Sequence, residues 1–175
     1  LKGDESFVVR SPAVAALDPE IQRARRAGIP VLVRGVVLPA LLADRHSIAV
    51  AGTHGKTTTT AMIAHMLKAC GVDASFCIGG EADDLGGVAG AGASDVCVAE
   101  ADESDGTLAL YAADVGVITN VEMDHVDFFR SEELLDACFA SFAAQVRRRL
   151  VFCVDDARAA AIGTLIDMLS NNGYA

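Results

Sequence analysis

A mostly parallel β-sheet with helices on both faces is the fold this sequence predicts, and three observations predict it. Apolar runs of strand length alternate with amphipathic stretches along the chain. Those runs are nearly continuous, as strands buried on both faces must be. Turns rich in glycine or carboxylates follow three of them directly, at Gly52, Glu100 and Asn120. Such turns gather at the carboxyl edge of a doubly wound sheet, where ligands bind.

Taken in order, SFVVR (6–10) reads as a strand. DPEIQRARRAG (18–28) reads as a helix, with Asp18 as N-cap, Pro19 in the first position and Gly28 beyond the end. IPVLVRG (29–35) is a strand and LPALLADRH (38–46) a short helix. The strand SIAVAG (47–52) leads through a turn into the helix TTTTAMIAHMLKACG (57–71). Ile63, Met66, Leu67 and Cys70 share a face of that helix, and Gly71 marks its exit. ASFCI (74–78) is a strand, and the six glycines of residues 79–92 predict a loop. Strands follow at 95–100 and 114–118. A long helix then starts at the N-cap Ser131, with Leu135, Cys138, Phe139, Phe142 and Val146 on one face. LVFCVDD (150–156) is a strand, and Ile162, Leu165, Ile166 and Leu169 form a last helical face.

The chain has 175 residues, enough for one domain or one domain with part of another, and 52% of them are hydrophobic. Its formal net charge of −10 speaks against a nucleic-acid or anionic-membrane surface, which needs clustered cations. The runs Arg23, Arg25, Arg26 and Arg147, Arg148, Arg149 read as solvated helix ends. Five scattered cysteines without a Cys-x-x-Cys pair suggest reduced thiols in a cytoplasm. The sequence shows neither a signal peptide nor an apolar run of membrane-spanning length, and no membrane partner is expected.

The turn Gly52-Thr53-His54-Gly55-Lys56-Thr57 carries the chemistry. The strict phosphate-loop pattern would have another glycine at position 50, where Val50 stands. The shorter form keeps the physics. Two glycines let successive N–H groups face one concavity, and the helix start adds partial positive charge. Lys56 would meet the β- and γ-phosphates, and the Thr57 hydroxyl suits Mg²⁺. Gly52, Thr53, His54, Gly55, Lys56, Thr57 and Thr58 are the expected nucleotide-binding set. Lys56, sitting in a turn, is expected to be replaceable without loss of the fold. Glu100 ends its strand and is the expected metal carboxylate, because Mg²⁺ takes few protein ligands and hard oxygens. Glu103 and Asp105 are expected to face solvent or substrate.

These motifs together resemble the Mur ligases. The resemblance rests on AVAGTHGKTTTTAM, AEADESDGT, VITNVEMDHVD, FASF and FCVDD, and runs over nearly residues 6–156. Arg10, Leu108 and the tail 157–175 depart from the family pattern. The resemblance implies that residues 1–45 are the end of a Rossmann-like N-terminal domain that binds a UDP substrate, with its linker. It implies that 46–175 are part of a P-loop-like central ATP-binding domain. A third domain, carrying the amino-acid site, would lie outside this sequence.

The implied reaction is ATP-dependent amide formation in peptidoglycan synthesis through an acyl phosphate, with ATP and Mg²⁺ required. Lys56, Glu100 and His125 would be catalytic. Thr57, Glu100 and His125 would hold metal, and Asn120 and His125 would lie near the substrate. Sister ligases that add later residues use a carbamoylated lysine in the helix after the Asp-His motif. The lysines here are Lys2, Lys56 and Lys68. That favours the branch joining L-alanine to UDP-N-acetylmuramate. The alternatives are the recycling branch that adds a whole peptide, whose acidic motif usually has tyrosine where Ser104 stands, and a nucleotide-binding fragment without ligase activity of its own.

Overall fold

The computed structural model describes residues 6–11, 14–104, 106–124 and 128–171. The elements are β1 (Val8–Arg10), α1 (Pro19–Arg26), β2 (Val31–Val33), α2 (Arg34–Ala43), β3 (His46–Ala51), α3 (Lys56–Ala69), β4 (Ser75–Cys77), β5 (Ala89–Gly90), β6 (Val96–Glu100), β7 (Val115–Ile118), α4 (Glu132–Gln145), β8 (Arg149–Phe152) and α5 (Ala157–Asn171). Strands β1 and β2 form a small parallel pair. The main sheet has the order β5-β4-β6-β3-β7-β8, and only β5 runs antiparallel. The α/β class and the mostly parallel sheet are therefore as the sequence predicts.

Local signals explain most boundaries. Asp18 accepts a hydrogen bond from the Glu20 N–H at 2.8 Å and caps α1, which buries Ile21 and Ala24. Ser131 accepts from the Leu134 N–H at 3.4 Å at the start of α4. Three boundaries differ clearly from expectation, the first being the end of β8, which stops at Phe152 where the sequence reading runs to Asp156. Helix α2 begins at Arg34, taking in residues assigned above to the strand, and holds Pro39 inside it. Its Val-Val-Leu run has no period that separates strand from helix. The glycine-rich stretch 79–92 also contains β5, a two-residue edge strand too short and too poor in side chains to be read from sequence.

Small residues on one face of the sheet make room for large ones over it. Ala49, Ala51, Cys97 and Ala99 belong to the core formed with Leu108, Tyr111, Leu135, Phe139, Phe142, Ala159 and Ile162. Strand side chains alternate, so Val50 and Val98, both fully buried, point to the other face, on which α3 packs. Helix α3 meets the sheet through Thr60 and Ala64. Ile63 and Leu67 are only half-buried, and Met66 and Cys70 are exposed, against expectation. The small side chains Thr60 and Ala64 take the inner positions of α3. On α5, Ile162 and Ile166 are buried while Leu165 and Leu169 are not.

The Arg147–Arg149 run, just past the end of α4, is exposed as expected, and two of its arginines also pair with a carboxylate. Asp114, at the start of β7, accepts from His46 at 3.1 Å and pairs with Arg147 at 3.0 Å and Arg148 at 3.7 Å. The His46 hydrogen bond, helped by both arginines, holds the Asp114 carboxyl below its ordinary value. All five cysteines are free thiols, and only Cys97 is buried. Among the described residues no helix is long and apolar enough to cross a membrane.

Candidate functional site

Strands β3, β6 and β7 are adjacent and parallel, so their carboxyl ends meet at one edge of the sheet. The turn after β3, residues 52–55, runs directly into α3. Gly52 has φ +138°, and a Cβ there would lie 1.9 Å from the Thr119 hydroxyl. That close approach lets the segment after β7 grip the turn. Thr53 donates its N–H to the Asn120 carbonyl at 3.1 Å, and its hydroxyl sits between the Glu122 carbonyl, at 3.0 Å, and N–H, at 2.9 Å. Asn120 receives the His54 N–H at 2.8 Å and donates to the His54 carbonyl at 3.0 Å. The Asn120 side chain thus shapes the loop from behind, and the Thr53 and His54 N–H groups are engaged there. The His54 ring is exposed, 3.9 Å from the Glu122 carboxylate.

Gly55, at φ +79°, is the N-cap of α3. The N–H groups of the first turn, from Lys56 onward, have no partners within the helix and carry its positive end. Thr57 donates its hydroxyl to Glu100 Oε2 at 2.9 Å, and the Gly79 N–H donates to the same oxygen at 2.8 Å. A Cβ at Gly79 would lie 2.7 Å from that carboxylate, so glycine is what lets the backbone approach it. Thr57 and Glu100, predicted from positions far apart in the sequence, are in contact. Beside Glu100 a cavity of about 250 Å³ opens towards α2, lined by Arg34, Leu38, Cys77, Asp102 and Tyr111 among others. Arg34 lies 4.0 Å from Asp102.

Lys56 is not a surface lysine in a turn. It is the first residue of α3, and its ammonium contacts the Gly52 carbonyl at 2.6 Å, the Thr53 carbonyl at 3.2 Å and both Glu103 oxygens at 3.1 and 3.0 Å. The Lys56 side chain is 11% exposed and that of Glu103 1%. Glu103 was expected to face solvent or substrate; it is instead buried under the loop as the partner of Lys56. Burial pushes its carboxyl above the ordinary value, and the Lys56 charge offsets part of that rise. The one available signal was electrostatic: a lone cation between an acidic cluster and a glycine turn is a natural counter-ion for a buried acid. His125 and Asp105 lie outside the described residues.

The arrangement is one ammonium, a row of helix N–H groups and a hydroxyl–carboxylate pair, all at one sheet edge. It suits a polyphosphate with a hard cation. Among the described residues no three His, Cys, Asp or Glu side chains cluster as a metal site. The Thr57–Glu100 pair still fits Mg²⁺, which keeps phosphate oxygens and waters as most of its ligands.

Comparison with known proteins agrees with this geometry. Residues 50–173 match the Mur ligase middle domain. The UDP-N-acetylmuramate–L-alanine ligase of Mycobacterium tuberculosis is 47% identical over 162 residues, covering 91% of this chain and 33% of that protein. The ligase of the same name from Mycolicibacterium gilvum is 46% identical over 162 residues, covering 91% of this chain and 34% of that protein. The chain therefore spans about a third of the length of these relatives. The crystal structure of UDP-N-acetylmuramate-alanine ligase from Thermotoga maritima superposes with a TM-score of 0.84 at 32% identity, over 91% of this chain and 38% of that one. The UDP-N-acetylmuramate:L-alanyl-gamma-D-glutamyl-meso-diaminopimelate ligase of Neisseria meningitides gives a TM-score of 0.73 at 26% identity, over 93% and 55%. The chain belongs to the Mur ligase family.

Proposed function

We propose that this chain is the ATP-binding part of a cytoplasmic ligase that joins L-alanine to UDP-N-acetylmuramate. The observation that carries the reading is the Thr57–Glu100 contact of 2.9 Å at the start of α3, beside the Lys56 ammonium. ATP would lay its β- and γ-phosphates along the first turn of α3. Lys56 would neutralise charge on them, and Gly52, Gly55 and Thr58 would shape the mouth of the loop. Thr57 and Glu100 would hold Mg²⁺, which when bound screens the anions brought together in phosphoryl transfer. The lactyl carboxylate would approach through the cavity beside Glu100 and take the γ-phosphoryl group, forming an acyl phosphate as ADP leaves. The amine of L-alanine would then attack the acyl carbon and release phosphate. The family resemblance assigns His125 to the second metal and the acyl phosphate. Asn120 supports this chemistry by fixing the loop.

We assign residues 1–45 to the end of the UDP-binding domain and its linker, and 46–175 to the central domain. Higher similarity to the alanine-adding structure than to the peptide-adding one favours L-alanine over a peptide. Alone, the chain should not ligate, because positioning two substrates against the γ-phosphate is worth roughly 7 to 11 kcal/mol and needs groups from the other domains.

A chimaera tests the reading. Residues 6–156 replace the matching segment of the M. tuberculosis relative, and UDP-linked product is followed by mass spectrometry. ATP- and L-alanine-dependent product supports the proposal. A folded chimaera that neither hydrolyses ATP nor forms product overturns it.

A further inference from the structure

We propose that Glu103 is a positioning residue that latches the loop lysine in the nucleotide-free protein, so that phosphate must compete with a buried carboxylate for Lys56. The inference rests on the reading of residues 52–58 as the phosphate loop. An ammonium has three N–H donors. Lys56 Nζ has four oxygens within 3.2 Å: the Gly52 and Thr53 carbonyls and both Glu103 carboxylate oxygens. Its donors are all committed before any ligand arrives. The two carbonyls belong to the loop that Asn120 and Glu122 hold in place. The carboxylate is the partner that carries a charge, and it cancels the lysine's. An arriving triphosphate therefore meets an ion pair with no net charge, where a bare lysine would present a full cation.

Three consequences follow from charge alone. Glu103→Gln keeps the shape and one acceptor for Lys56 but removes the negative charge. Affinity for MgATP then rises, by about tenfold for a unit charge removed at the distance of an ion-pair neighbour. Affinity for AMP, which has no β- or γ-phosphate, stays as it was. Glu103→Asp restores the carboxylate and brings MgATP affinity back towards that of the parent chain. A role confined to stability would instead weaken both nucleotides together or leave both unchanged.

The experiment is calorimetric titration of MgATP and of AMP into the parent chain, Glu103→Gln and Glu103→Asp, with thermal melts to confirm folding. Tighter MgATP binding in Glu103→Gln alone, with AMP unmoved, is the expected result. Equal or weaker MgATP binding in a folded Glu103→Gln protein overturns the latch while leaving the phosphate loop intact. No MgATP binding in any of the three proteins overturns the loop reading, and the latch with it. Should Glu103→Gln fail to fold, the ¹⁵Nζ signal of Lys56 in the parent chain decides. A slowly exchanging ammonium resonance that moves on MgATP addition supports the latch. A rapidly exchanging one in the nucleotide-free chain refutes it.

Discussion

Lys56→Ala should destabilise the fold, and the loss should depend on pH. The substitution takes from Glu103, whose side chain is 1% exposed, the Lys56 ammonium that offsets its charge. Removing one partner of a buried pair typically costs about 3–5 kcal/mol. A tighter limit follows from protonation. A buried carboxylate that has lost this ammonium can bind a proton instead, at 1.36 kcal/mol for each pH unit above its ordinary value of 4.5. The 2.5 units between that value and pH 7 cap the electrostatic loss at about 3.4 kcal/mol, and at pH 5 the cap falls to about 0.7 kcal/mol. The sign runs one way. Because the folded value is already raised, stability from Glu103 is fully present below 4.5 and is lost as pH rises through the folded value. Deleting Lys56 lifts the folded value further and extends that loss to higher pH. Urea unfolding of the parent chain and variant at pH 5 and pH 7 measures it. The double variant Lys56→Ala, Glu103→Leu should recover most of the pH 7 loss. Equal losses at both pH values, or a loss under about 0.5 kcal/mol at pH 7, would refute the reasoning.

Three other perturbations are informative. Gly52→Ala forces a Cβ to 1.9 Å from the Thr119 hydroxyl at a φ of +138°; it should lower stability by about 2 kcal/mol or more and abolish MgATP binding, read by melts and calorimetry. Asp114→Asn should destabilise at neutral pH and flatten the acid limb of the stability curve. The Asp114 contribution, from a depressed carboxyl, is present above 3.8 and disappears as pH falls through the folded value, so the gap between variant and parent should close in acid. Glu100→Gln should keep the fold and ATP binding without metal, and lose the gain in affinity that Mg²⁺ gives the parent chain; a matching gain in the variant would remove Glu100 from the metal site.

What the sequence made legible was what local patterns encode. Asp18 and Ser131 announce their helices because capping is a one-residue chemistry, and Phe139 and Phe142 announce the core because α4 repeats them at helical spacing. The meeting of Thr57 with Glu100 was legible too, since both follow parallel strands and must reach the same edge. Glu103 was not. Its burial depends on where the Lys56 side chain folds back, a contact between elements that no spacing rule reports. The inner face of α3 was misjudged for a related reason. Met66 and Cys70 fit the helical period, but the residues of α3 turned to the sheet are Thr60 and Ala64. Asp114 likewise gathers His46 and the adjacent pair Arg147 and Arg148 from two separate segments, a pairing that no spacing rule reports.

The central claim is that the start of α3 holds a triphosphate, and backbone amide NMR tests it most directly. MgATP is titrated into the ¹⁵N-labelled chain and the shifts are mapped by residue. The largest should fall on Gly55, Lys56, Thr57 and Thr58, with Gly79 following because its N–H shares the Glu100 carboxylate with Thr57. Shifts confined to other surfaces, such as the groove between Met62 and Leu85, or none at all at millimolar MgATP, would contradict the account.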